Sequence, residues 1–279
     1  MQAVPGIRLP GITWVTLPCR PNSRAMALRF LSAACTHVGN VRKLNEDAYC
    51  EHAAAGVWCV ADGMGGYDAG EVAANMVADA VSESLQRVQL EPDLNGRVAV
   101  VKQAIQSVNT RLTVERTQSP DSGMMGCTVV ALIAEGQECA CVWAGDSRFY
   151  LLRDAGLYQL STDHSVVQEL LDTGMIQPEE VDSHPRRHVI TRAVGANAVL
   201  ELDYIALDLL PGDVLLLCSD GLHSELSPER IMSILSAPQD CHTKATRLVE
   251  SVLSGNANDN VTVTVIAVES VAKGMLLRE

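Results

Sequence analysis

Four acidic motifs stand far apart in the chain, each where an apolar stretch gives way to a turn. They are Asn45-Glu46-Asp47, Ala61-Asp62-Gly63-Met64-Gly65-Gly66, Ser219-Asp220-Gly221 and Asn258-Asp259-Asn260. Brought to the end of one sheet, their carboxylates would repel one another unless they held hard cations, so a divalent-metal site is the first chemistry they suggest. Asp62 could bridge two ions through its two oxygens, while Gly63, lacking a Cβ, allows close backbone approach and offers its carbonyl. Arg42 lies five residues before Asp47 on the same loop, where its guanidinium suits an anionic substrate as a two-pronged fork. Taken singly, each motif reads more readily as a tight turn, an Asx turn or a solvated loop. A nucleotide loop at Gly63 to Gly66 does not fit, since no Lys-Ser/Thr follows and no G-x-G-x-x-G frame is present.

The elements that must position these residues follow from periodicity. Leu28 to Thr36, Asp47 to His52 and Gly56 to Ala61 read as strands, with Ala53-Ala54-Ala55 as the turn between the last two. Ala69 to Val88 has helical spacing of Val72, Met76, Val77, Ala80, Val81 and Leu85, with Asp68 as N-cap; Leu94 to Glu115 is a second long amphipathic helix bearing Val98, Val101, Ile105, Val108 and Leu112. A turn at Gly123 to Gly126 leads into a buried strand, Cys127 to Ala134. Glu138 to Ala144 and Arg148 to Arg153 follow as strands, then a hairpin turn at Asp154-Ala155-Gly156. His164 to Thr173 reads as a short helix closed by Gly174, and the polar segment Gln177 to His188 as a surface flap. Strands at Leu200 to Leu207 and Asp213 to Cys218, helices at Ser227 to Leu235 and Cys241 to Leu253, and a last strand at Val261 to Val268 complete the order. Short turns between consecutive strands imply antiparallel pairing, and helix pairs placed outside two packed sheets would bury every apolar stripe.

The chain has 279 residues and a formal net charge of -13 with no basic stripe, which disfavours nucleic-acid binding. Hydrophobic residues make up 47% but aromatics only 4%, so the core must be built from Ala, Val, Leu and Ile. The nine cysteines are an odd number without a Cys-x-x-Cys pair, as expected of reduced thiols in a cytoplasmic protein. No apolar run is long enough to span a bilayer. Met1 to Ala25 carries four prolines and no signal-peptide pattern, so residues 1–26 are expected to be a flexible extension. Met26 leaves the translation start open. One domain over 27–270 and a tail over 271–279 account for the rest.

Together these residues resemble the metal-dependent PP2C-type (PPM) serine/threonine protein phosphatases, most closely the small bacterial stand-alone members. To the acidic motifs and Arg42 are added Gly126-Cys127-Thr128, Gly145-Asp146-Ser147-Arg148, Thr162-Asp163-His164-Ser165 and Thr191-Arg192-Ala193-Val194-Gly195, with Thr262 after Asn260. The motifs occur in the family's order across about residues 28 to 268. The resemblance implies an α+β fold, a four-layer α-β-β-α sandwich. It also implies two Mn²⁺ or Mg²⁺ ions, with Asp62 bridging them and the Gly63 carbonyl on one. Glu46, Asp220 and Asp259 would complete the second ion's shell, Asp47 would orient water, and Arg42 would hold the substrate phosphate. Asp146 matches a position that helps bind a weaker third ion.

The implied reaction is hydrolysis of phosphoserine or phosphothreonine by direct attack of a metal-bridging hydroxide, without a phosphoenzyme. Two departures stand out. Met64 occupies the place where some members carry a histidine proposed as general acid, leaving metal-bound water or His164 for that part. Ser224 stands where some relatives have a further aspartate, which bears on the third ion. Expected partners are phosphorylated Ser/Thr proteins, including a cognate kinase and its substrates. A phosphatase of a partner-switching regulator is the same-chemistry alternative, disfavoured by Arg42. A phosphoprotein-binding pseudophosphatase is the alternative from another class, disfavoured by the complete acidic set.

Overall fold

The structure, a computed structural model of the chain, describes residues 7–9, 12–15, 27–65, 69–91, 93–118, 125–181 and 183–271. Two short strands, β1 (Ile7–Leu9) and β2 (Ile12–Val15), pair antiparallel; the expectations for the rest of residues 1–26 and for 272–279 lie outside the described residues, as does Asp68. Then come β3 (Leu28–His37), β4 (Asp47–His52), β5 (Val57–Met64), α1 (Ala69–Glu83), α2 (Leu85–Leu90), α3 (Leu94–Gln118), β6 (Gly126–Cys127), β7 (Val129–Glu135), β8 (Glu138–Ala144), β9 (Arg148–Arg153) and β10 (Gly156–Gln159). The chain continues through α4 (Val166–Asp172), β11 (Asp203–Asp208), β12 (Val214–Cys218), α5 (Asp220–His223), α6 (Pro228–Leu235), α7 (Cys241–Leu253) and β13 (Val261–Ser270).

Two antiparallel sheets form, ordered β10-β9-β12-β13-β3 and β11-β8-β7-β5-β4, with β6 added beside β5. Their strands are apolar on both faces because each sheet is covered twice. Trp58 and Val60 of β5 face Leu215 and Leu217 of β12 in the layer between the sheets. The alternate residues Val57, Cys59 and Ala61 pack under α1 and α3, while Val214, Leu216 and Cys218 pack under α6 and α7. Period-two alternation thus builds three cores from two sheets, and the expected four-layer sandwich is present. All eight cysteines among the described residues are free, and all but Cys35 are buried. Among the described residues, no helix is long and apolar enough to cross a membrane.

Several expectations need correction. Consecutive strands do not always pair: β8 and β9 lie in different sheets, and so do β11 and β12. A short polar turn signals a change of direction but not whether the chain returns to the same sheet. The helix expected over Ala69 to Val88 breaks at Ser84, whose buried hydroxyl donates to the Val81 carbonyl at 2.7 Å and competes with the helical ladder. Its buried stripe is carried by Ala73, Ala74, Val77, Ala78 and Val81, whereas Val72 is exposed. β5 continues through Asp62 and Gly63 to Met64, because β6 supplies a partner there. The strand expected over Cys127 to Ala134 is divided at Thr128 into β6 and β7.

Candidate metal and anion site

The end of the sandwich gathers the acidic residues. Asp47, first in β4, lies directly opposite Asp62 in β5. Gly63 N–H donates to the Glu46 carbonyl at 3.1 Å, which makes the Asp47–Asp62 pairing a non-hydrogen-bonded one. In such a pair the Cα atoms are only about 4.5 Å apart and the side chains are closest. On its other edge Asp62 is locked to Thr128: its N–H donates to Oγ1 at 3.1 Å, and its carbonyl accepts from Thr128 N–H at 2.8 Å. Both backbone groups of Asp62 are therefore spoken for, and only its carboxylate faces the cleft. Glu46 reaches the first turn of α1, where a Cβ on Gly70 would lie 2.6 Å from its Oε1.

From the second sheet come Asp220, at the start of the one-turn helix α5, and Asp259, just before β13. Ser219 ties the halves together: its hydroxyl donates to Asp47 Oδ2 at 2.8 Å and accepts from Thr262 N–H at 2.9 Å. Asn260 pins the Arg42 loop, donating to the Val38 and Leu44 carbonyls at 2.9 and 2.8 Å and accepting from Glu46 N–H at 2.8 Å. Arg42 Nη2 donates to Asp259 Oδ2 at 2.7 Å, with both side chains about half exposed. Such exposed pairs are worth roughly 0–1 kcal/mol, so Arg42 can turn to an incoming anion at little cost.

The electrostatics are those of an uncompensated acidic cluster. Burial, and then the carboxylates of Asp47, Asp220, Asp146 and Asp259, hold the Asp62 carboxyl well above the usual range. Burial, followed by Asp259, raises Asp220. Burial pushes Asp47 up to about 7, with Asp220 and Asp259 adding to the shift, and pushes Asp146 up to about 8, with Asp220 and Asp163 adding. Asp47 Oδ1 is buried with no hydrogen-bond partner among the described protein atoms. Carboxylates that raise one another, with a buried oxygen left over, fit hard divalent cations. Among the described residues no three His, Cys, Asp or Glu side chains close on one point as a chelate.

Asp146 lies on the link between β8 and β9 and is buried. His164 holds that link: its ring Nδ1 accepts from Gly145 N–H at 3.1 Å and its backbone N–H donates to the Gly145 carbonyl at 2.9 Å. The proton therefore sits on Nε2, 3.3 Å from Asp203 Oδ2, and the ring stacks on Trp143. The flap departs after α4, carries a 3₁₀ turn at Pro178–Glu180, and returns through bridges from Ile190 to Ser165 and from Val194 to Cys127. Its return arm thus runs from the Asp146 side of the site to the Gly63 side. Sequence reasoning assigned no role to Ser219, Thr128 or Asn260, although each stands within one of the motifs. It also passed over His223, one residue beyond Ser219-Asp220-Gly221-Leu222.

Residues 39–254 match the family model for protein phosphatase 2C. PstP of Mycobacterium tuberculosis, a serine/threonine protein phosphatase, is 39% identical over 242 residues, covering 86% of this chain and 45% of its own length. The chain thus spans about half the length of such curated relatives. Among solved structures, PppA of Pseudomonas aeruginosa, described as a key regulatory component of its T6SS, is 40% identical. It covers 86% of this chain and 98% of its own, with a TM-score of 0.78. The catalytic domain of PstP in complex with two manganese ions is 37% identical. It covers 87% of this chain and 99% of its own, with a TM-score of 0.77.

Proposed function

Because this chain belongs to the protein phosphatase 2C family, we propose that it is a cytoplasmic, metal-dependent phosphoprotein phosphatase. Its substrates are phosphoserine and phosphothreonine proteins, and it opposes a bacterial serine/threonine kinase. The observation that carries this reading is the meeting of Glu46, Asp47, Asp62, Asp220 and Asp259 at one end of the sandwich with Arg42 beside them. The two manganese ions of the PstP catalytic domain support a binuclear site in the same fold.

When bound, two Mn²⁺ or Mg²⁺ ions supply Lewis acidity and an ionised water near neutral pH. Asp62 would hold the metal through its carboxylate, since both of its backbone groups are already hydrogen-bonded to Thr128. Glu46, Asp220, Asp259 and the Gly63 carbonyl would join it in holding the ions, and Asp146 would offer a place for a weaker third ion. Asp47, anchored through Oδ2 to Ser219, keeps Oδ1 free to orient water. Arg42 leaves its weak pair with Asp259 to grip the phosphate, and its charge stabilises the transition state. Met64 has no proton to give. His164 spends Nδ1 on Gly145, and its Nε2 is buried 3.3 Å from Asp203 Oδ2 without a hydrogen bond, so its part is to hold the Asp146 link, and the leaving alkoxide takes its proton from water.

Hydrolysis of a phosphothreonine peptide tests the reading, with Mn²⁺, with Mg²⁺ and with EDTA, beside the Asp62→Asn variant. Metal-dependent release lost on chelation and on substitution is expected. Folded protein that releases no phosphate under any metal would overturn the proposal.

A further inference from the structure

We propose that His223 is a positioning residue that fixes Asp146 relative to Asp220, so that both carboxylates face one additional cation. The inference rests on the metal-dependent reading above. It concerns a residue to which neither the sequence motifs nor the ligand set gives a part.

Asp220 opens α5 and His223 closes it. Residues three apart lie on one side of a helical turn, so His223 and Asp220 leave α5 on the same side. His223 Nε2 donates to the backbone carbonyl of Asp146 at 3.0 Å, across 77 residues of sequence. An imidazole here is a neutral donor: removal from bulk water, and then the nearby Arg148 guanidinium, push it down to about 3. It therefore brings a directed N–H without adding charge to the cluster.

The Asp146 link is otherwise held from the far side. His164 secures Gly145 through both a side-chain and a backbone hydrogen bond. Ser147 Oγ meets Thr128 Oγ1 at 2.7 Å, and Thr128 is the residue locked to Asp62. His223 is the tie that runs from this link to the Asp220 turn. Fixing the Asp146 carbonyl fixes the peptide plane that precedes Ser147, and with it the direction in which the carboxylate leaves the chain. Asp146 and Asp220 are both buried acids at this end of the sandwich, and the His223 hydrogen bond joins the backbone of one to the turn that carries the other. Without the His223 tie, the link could shift by a fraction of an ångström and Asp146 would no longer be presented in register with Asp220. Groups of this kind, which orient ligands without touching the ion, typically change metal affinity by about 10–100-fold.

The test is Mn²⁺ titration by calorimetry on the full chain, with hydrolysis of a phosphothreonine peptide followed in the same samples. Four proteins form a cycle: the natural chain, H223F, Asp146→Asn and the double variant. Phe keeps a ring of similar size but has no donor. H223F is expected to weaken the Asp146-dependent component of Mn²⁺ binding about tenfold. The same change made on Asp146→Asn should add nothing, because the group it positions is already gone. H223Q, whose amide reaches a similar distance, should recover most of the loss. Equal weakening in both backgrounds, or a natural chain with no Asp146-dependent binding, would overturn the proposal. Should H223F lose its melting transition, His223→Asn, with its amide one methylene shorter, takes its place in the cycle. If the natural chain binds Mn²⁺ but releases no phosphate, the functional reading fails while the calorimetric cycle still decides the role of His223.

Discussion

Asp62-Gly63 and Asp220-Gly221 look alike in sequence, each an aspartate and glycine at the end of an apolar strand, yet they are built differently. Asp62 and Gly63 lie inside β5, paired on both edges, with Asp47 opposite and Thr128 behind. Asp220 and Gly221 open α5, a turn with no strand partner. Their glycines nevertheless answer one demand. A Cβ on Gly63 would lie 2.3 Å from the Gly70 carbonyl oxygen and 2.4 Å from that of Glu46; one on Gly221 would lie 1.9 Å from the Asn260 carbonyl oxygen. Neither glycine has a positive φ. What the two steps share is a neighbouring backbone pressed against the residue after the acid, which is how residues from distant loops come within reach of one site.

The sharpest way to separate the two steps is to remove their charges. Asp62→Asn is expected to lower turnover of a phosphopeptide about a thousandfold, ~4 kcal/mol of barrier, and Asp220→Asn about a hundredfold. The strand-held aspartate serves both ions in the proposed site and the helix-held one a single ion. Equal losses in steady-state kcat under saturating Mn²⁺ would erase the distinction. Crowding tests what the steps have in common. Gly63→Ala and Gly221→Ala should each destabilise the fold by about 3 kcal/mol, seen as a lowered urea midpoint. A tolerated alanine at either position would show that its neighbouring carbonyl gives way.

Protonation distinguishes the strand step further, because Asp47 faces Asp62 and no such partner faces Asp220 across a ladder. In metal-free protein the Asp47 carboxyl is raised from 3.8 to about 7 by burial. Between these values the folded chain holds a proton that the unfolded chain has released. The resulting stabilisation is full below the unfolded value and is lost as pH rises through about 7. The melting temperature in EDTA should therefore fall from pH 5 to 8, and Asp47→Asn should flatten that slope. Asp146, raised to about 8, leaves a residual slope that runs slightly higher. A smaller effect belongs to Arg42 on the Asp259 side: Arg42→Ala should raise KM for the phosphopeptide about tenfold, ~1.4 kcal/mol, while calorimetric Mn²⁺ affinity persists. Loss of metal affinity instead would assign Arg42 to holding Asp259.

The acidic set was legible because each motif carries glycine or asparagine where an apolar run meets a turn, a local signal that survives without knowledge of the fold. The three cores were legible for the same reason, since Trp58 and Val60 alternate with Val57 and Cys59. What remained hidden depends on meetings between distant segments. Nothing near Asp62 says that Gly126 and Cys127 will extend its strand. The turn at Pro211-Gly212 does not reveal that β11 and β12 join different sheets. His223 acts on a carbonyl 77 residues away, and its type alone suggests nothing.

The turn Asp154-Ala155, between β9 and β10, separates the two reasons for placing glycine after an aspartate. It is a two-residue hairpin loop in which Arg153 pairs with Gly156, and Asp154 and Ala155 have φ values of 49° and 60°. Left-handed backbone at both central positions is the type I′ geometry that favours Asn-Gly or Asp-Gly. Here, then, the dihedral asks for glycine, yet the chain carries alanine; at Gly63 and Gly221 the dihedral does not ask for it, and the neighbouring carbonyls do. A left-handed alanine costs about 1–2 kcal/mol, while glycine would add freedom to the unfolded chain and cancel part of the gain. Ala155→Gly is therefore expected to stabilise the fold by about 0.5–1 kcal/mol, with kcat and KM unchanged because the loop lies outside the site. A lower melting temperature for Ala155→Gly would mean that strain at this turn is relieved by its surroundings. The contrast between glycine for space and glycine for dihedral would then hold only on the side of space.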